Sequence, residues 1–102
     1  MNYETWNILL WINNSTLLQS YWHARARSIK KHPTYINEYM SLDRRIVTEL
    51  AKELDAYFDE QAEKWGHDQA SCFADIFNNA LTAINWHEIA ESLLTDTLEE
   101  QL

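Results

Sequence analysis

An all-α fold, a compact bundle of four or five helices, is predicted for this chain by three features. Its 102 residues include one glycine, Gly66, and one proline, Pro33, too few to supply the tight turns of a strand-rich fold. Apolar residues recur at spacings of three and four along most of the chain, the period of a helix with one buried side. Residues that cap helices stand just ahead of those periodic runs. The length sits at the modal domain size, so residues 1–102 are read as a single helical domain burying roughly 65% of its unfolded surface.

The elements follow in order. Glu4 to Ile12 is apolar nearly all round and is expected to form a short central helix rather than a surface one. Ser15 or Asn14 caps a second helix that places Leu18, Tyr21, Trp22, Arg25 and Ile29 on one side and a basic face on the other. It ends before His32 and Pro33, because proline disfavours helix at the residue before it. Thr34 to Met40 is one helical turn or a loop. Ser41 caps the longest helix, from Leu42 to about Trp65, with Leu42, Ile46, Leu50, Leu54, Tyr57, Phe58, Ala62 and Trp65 on its apolar side. Gly66 is expected to close it in the left-handed conformation.

Asp68 then caps a helix carrying Phe73, Ile76, Phe77, Ala80, Leu81 and Ile84. Asn85, three residues before Glu88, is a variant of the capping box, in which each side chain satisfies a free backbone donor. The helix it opens turns Trp86, Ile89, Ala90, Leu93 and Leu94 to the core, and its acidic end, Asp96, Glu99 and Glu100, is expected to fray.

Several function classes are disfavoured on composition. Cys72 is the only cysteine, which leaves no internal disulfide and no cysteine-rich zinc module, and points to a reducing compartment. It stands in an apolar periodic stretch, where a thiol behaves as a small inert hydrophobe. No apolar run reaches the ~18 residues of a membrane span, and the opening MNYETWN lacks the pattern of a signal peptide. The chain is therefore expected in the cytoplasm, without a membrane partner. His87 with Glu91 one turn on, and His67, which precedes Asp68, with Cys72 five positions on, are groups that could each supply two ligands but not a third. A phosphate cradle needs more glycine than the one helix-stopping Gly66. The reading is of a non-enzymatic protein with no metal, no cofactor and no catalytic residue.

Charge carries the positive signal. Residues 1–48 hold six Lys and Arg against three acids, and residues 49–102 hold two bases against thirteen acids, for an overall −8. Along the long helix Glu49 and Glu53 are one turn apart, as are Asp55 and Asp59, and Glu60 and Glu63 continue the row. Like charges at that spacing cost a few tenths of a kcal/mol per pair. An acidic row of this kind imitates the phosphates of a nucleic acid and fits the groove of a protein that binds one. Glu88, Glu91, Asp96, Glu99 and Glu100 on the last helix supply a second acidic face. The bland reading is a solvated surface that keeps the chain soluble.

The basic segment holds Arg25, Arg27, Lys30 and Lys31, with Trp22 placed to stack on a base. Direct contact with nucleic acid through these residues is the alternative function. It ranks lower because the acidic half repels a phosphate backbone, and the favoured structural reading pairs these cations with the acidic helix or with their own helix dipole. Five tryptophans and many leucines also leave room for a homodimer.

Two end motifs are more specific. Tyr3-Glu4-Thr5-Trp6-Asn7 followed by Leu10-Trp11-Ile12, and Asn85-Trp86-His87-Glu88-Ile89-Ala90, resemble a family of small proteins common in bacteriophages and mobile elements, with a YETWN opening, an LWI segment and a closing NWxEIA helix. The resemblance covers about a quarter of the chain and implies a phage or prophage origin and a small fold in the bacterial host's cytoplasm. It carries over no catalytic residue. Physically, Trp6, Trp11 and Trp86 are expected to pack as aromatic neighbours, with Asn7 and Asn85 bonding at helix ends. The resulting expectation is an acidic, DNA-mimicking interaction protein of bacteriophage type. It binds and inhibits a host nucleic-acid-handling or defence complex in the manner of an anti-CRISPR or anti-restriction inhibitor.

Overall fold

In the computed structural model, which describes residues 1–68 and 78–100 and, within them, the side chains of 1–64 and 78–97, the first helix begins where Asn2 caps it. The Thr5 N–H donates to Asn2 Oδ1 at 2.8 Å, satisfying one of the free donors at the helix start. This helix, α1 (Tyr3–Asn14), stops at Ser15, whose extended backbone also opens α2 (Thr16–Lys31). Ser15 serves both: its N–H bonds the Ile12 carbonyl, and its Oγ accepts from the Leu18 N–H. Pro33 ends α2 within two residues, as expected, and Lys30 and Lys31 fall in the last turn, where the helix dipole favours cations.

Residues 32–41 form a loop rather than a helix. Glu49 holds it to the next helix by accepting from the backbone N–H groups of Thr34 and Tyr35, each at 2.7 Å. Lys52 lies over the Tyr35 ring, 4.2 Å from its centroid. Ser41 then caps α3 (Leu42–Asp68), its Oγ accepting from the Arg44 N–H. The expected stop at Gly66 does not occur. The helix runs through Gly66 to Asp68, and no described glycine has positive φ, so Gly66 keeps ordinary helical backbone. The helix expected from Asp68 falls largely on residues 69–77, outside the described residues, although 78–82 are helical and Leu81 and Ile84 are buried.

Asn85 opens α4 (Trp86–Glu100) with the reciprocal box the spacing predicts: the Glu88 N–H donates to Asn85 Oδ1, and Asn85 Nδ2 donates to Glu88 Oε1. Glu99 and Glu100 are helical, not frayed. The architecture is an all-α bundle of four or five helices, with no strand among the described residues.

The central helix is α4, not α1. It packs against α1, α2 and α3, and Ile89, Ala90, Leu93 and Thr97 on it are fully enclosed. The Thr97 hydroxyl is satisfied there by donating to the Leu93 and Leu94 carbonyls. Around α4 lie Ile12 of α1, Trp22, Ala26 and Ile29 of α2, and Leu50 and Leu54 of α3. Leu42, expected on the apolar side of α3, is half exposed at its start. In α1 only Thr5 and Ile12 are buried, while Tyr3, Trp6, Leu10 and Trp11 face out. A helix apolar nearly all round is expected at the centre. Here it lies at the surface with one narrow stripe inward.

Candidate functional site

The two end motifs meet, but not through their tryptophans. Trp86 stacks on Phe58 at 5.3 Å, while Trp6 is 50% and Trp11 71% exposed. The join is polar. Thr5, fully buried, accepts the Asn85 N–H at 2.8 Å, and Asn2 Nδ2 donates to the Ala83 carbonyl at 2.6 Å. Thr5 and Asn85 are 80 residues apart in sequence. Asn2, not Asn7, therefore makes the helix-end bonds on the α1 side, and the motifs act as a clasp between the start of α1 and the start of α4.

The basic segment is largely committed to the fold. Trp22 is 1% exposed and packs edge-on against Tyr21 and Tyr57, so it is not available to stack on a base. Its position on α2 places it on the inward side with Ala26 and Ile29. Arg25 makes a bidentate pair with Glu53 of α3, at 2.9 and 3.0 Å, and this bond and charge raise the guanidinium pKa further. Arg27 and Lys30 are half-buried, and Lys31 is exposed. Pairing between the basic segment and the long helix is thus realised at Arg25.

The same contacts divide the acidic row. Glu49 and Glu53 point back into the molecule, one to the loop and one to Arg25. Asp55, Asp59, Glu60 and Glu63 remain exposed on α3, Asp55 and Asp59 beside a groove shared with residues 78–86. Of the two bases near them, Lys64 reaches back to Glu60 at 3.6 Å and Lys52 is turned to Tyr35. On α4, Glu88 closes the capping box, Asp96 lies 3.9 Å from the buried His23, and Glu91 is exposed. The second acidic face expected there is reduced accordingly.

Asp55 also borders shallow grooves shared with Ile84 and Trp86. Partial desolvation first, and the like charge of Asp59 second, hold its carboxyl above the ordinary carboxylate range. A carboxyl raised on folding favours the folded state while it is protonated, and that contribution is lost as pH rises through the folded-state value. Asp55→Asn is therefore expected to raise the thermal midpoint at neutral pH. The gain should shrink as pH falls into the carboxylate range, as parallel melts across that range would read.

A second surface lies outside the charged faces. A cleft of about 750 Å³ opens between α1, α3 and residues 80–84, floored by Ile8, Leu18, Phe58 and Leu81. Tyr3, Trp11 and Tyr57 stand around it with Glu4, Asn7 and Gln61. Mostly apolar walls with a few polar groups are what ligand and partner sites use. The sequence did hold a signal for it: a 12-residue helix with apolar groups on every side cannot bury them all, so some must line a surface. Among the described residues, no three His, Cys, Asp or Glu side chains converge as a metal site, and no helix is long and apolar enough to cross a membrane. No protein-family model, curated protein or solved structure matches this chain.

Proposed function

We propose that this chain is a non-enzymatic interaction protein of bacteriophage type, whose acidic α3 face occupies the nucleic-acid groove of a host nucleic-acid-handling or defence protein and blocks it. The observation that carries this reading is the outward set Asp55, Asp59, Glu60 and Glu63. Asp55, Asp59 and Glu63 follow one another at one-turn spacings, with Glu60 one turn before Glu63 alongside, so they present a strip of negative charge on a rigid rod. The internal bonds of Arg25, Glu49 and Glu53 leave this row as the exposed part of the sequence's acidic stretch. A basic groove that binds phosphates attracts such a row at long range, and the encounter weakens with salt.

The competing reading, direct contact with nucleic acid through the basic segment, has less support, since Trp22 is in the core and Arg25 is paired. The target class, a bacterial defence complex, rests on the resemblance of the end motifs to phage proteins.

Capture from nuclease-treated bacterial lysate, followed by elution with duplex DNA, tests the proposal. The expected result is a DNA-binding protein retained at low salt and displaced by added duplex. The variant Asp59→Asn/Glu60→Gln/Glu63→Gln should bind it about tenfold more weakly, a loss of ~1.4 kcal/mol. Capture that ignores both the competitor DNA and the three substitutions would count against the acidic face.

A further inference from the structure

The charges of this protein are absent from one stretch. Residues 5–22 contain no Asp, Glu, Lys, Arg or His, although the chain as a whole has 24 Asp, Glu, Lys and Arg residues and a net charge of −8. That stretch is most of α1 and the first half of α2, and it holds many of the exposed large side chains. On the outer side of α1, Tyr3, Trp6, Leu10 and Asn13 follow at spacings of three and four, the a and d positions of two heptads. Their side chains face solvent: Tyr3 is 71%, Trp6 50% and Leu10 40% exposed. The positions flanking the seam, Asn7, Leu9 and Asn14, are uncharged as well.

We propose that this uncharged, heptad-spaced face of α1 pairs with the same face of a second copy of the chain. Electrostatics selects the occupant. Flanking charges are what direct a heptad seam to a different partner, and none stands beside this one. Two molecules of net charge −8 repel through their acidic faces, so a contact between copies is least opposed where charge is missing.

Area agrees. With ~150–250 Å² available on each aromatic side chain, the exposed parts of Tyr3, Trp6 and Leu10, with Asn13, Asn14 and the neighbouring Leu17, come to about 600 Å², the lower end of one partner's share of a specific interface. A standard interface takes ~800 Å² from each partner. A two-fold axis brings each seam against itself, so Asn13 can bond across the contact and set its register. The inference does not depend on the acidic face having a partner.

Sedimentation equilibrium of the intact chain tests it. The expected result is a reversible dimer of twice the 12.1 kDa chain mass. Trp6→Glu/Leu10→Glu should sediment as a single chain with an unchanged helical circular dichroism spectrum. If that double variant loses its helicity, Tyr3→Glu at the more exposed end of the seam decides, with at least a tenfold weaker dimer expected. Ile36→Glu, an exposed apolar site on the loop, should dimerise as the parent does.

A single chain at every concentration overturns the proposal, and so does a dimer indifferent to Tyr3→Glu or disrupted by Ile36→Glu. So does a dimer that dissociates between ~0.01 M and ~1 M salt, where the Debye length falls from ~30 to ~3 Å, since that would assign the contact to basic residues of one copy against acidic residues of the other.

Discussion

Replacing Trp22 by alanine is expected to destabilise the protein by about 3–5 kcal/mol, the cost of removing a large aromatic from a closed core. The side chain is 1% exposed and sits edge-on to both Tyr21 and Tyr57, which in turn meets Phe58 and, through it, Trp86. Removing Trp22 opens a void at the α2 end of that aromatic chain, against Tyr57 of α3. For a domain of this size the loss corresponds to roughly 15–30 °C in the thermal midpoint. Trp22→Phe should cost much less, because among the described residues the indole N–H has no hydrogen-bond partner and a phenyl ring keeps the edge-on contacts. Thermal and urea melts of the two variants check this. A stable Trp22→Ala protein would mean that the indole is a surface group after all, and would restore the reading in which it stacks on a nucleic acid.

The second large effect is expected at Thr5. Thr5→Val keeps the shape of a side chain that is fully buried, yet it removes the oxygen that accepts the Asn85 N–H at 2.8 Å. A donor left without its partner in a part-buried bond costs ~1 kcal/mol, the low end of the range for unsatisfied groups. The same change at Thr82, whose exposed hydroxyl donates to the Asn79 carbonyl, should stay within ~0.5 kcal/mol. Urea unfolding with an unchanged denaturant slope would assign the difference to the native contact. Equal midpoints for Thr5→Val and the parent would mean that the clasp between α1 and α4 contributes nothing to the fold.

Both effects bear on how the two end motifs are understood. Their folding role belongs to Asn2, Thr5 and Asn85, small polar groups that meet across the molecule. Trp6 and Trp11 lie outside that clasp, with half or more of their surface exposed. Exposed tryptophans are the residues that dominate interfaces, which places the α1 face and the adjoining cleft beside the α3 acids as surfaces to probe.

What was legible in the sequence is local. Ser15, Ser41 and Asn85 cap the helices they precede, and Pro33 limits α2, because each of these bonds or clashes involves groups within four residues. The apolar side of α4 was also readable, since one regular stripe admits one inward face. Gly66 is the local failure. A glycine can end a helix, but it also continues one at a cost of ~1 kcal/mol, and α3 continues.

The rest was decided by tertiary structure, for reasons of distance along the chain. Composition makes the five tryptophans equivalent, but packing buries Trp22 and leaves Trp11 outside. Charge counting sets a basic segment against an acidic helix without saying which residues meet. Only the fold brings Arg25 to Glu53 across 28 residues and Thr5 to Asn85 across 80. By itself the sequence determined that the chain is helical, where most helices begin, and that acid outweighs base. Which acids are consumed internally and which apolar groups remain at the surface depended on how the helices pack, since a helix's periodicity names its faces and only its neighbours determine which of them are covered.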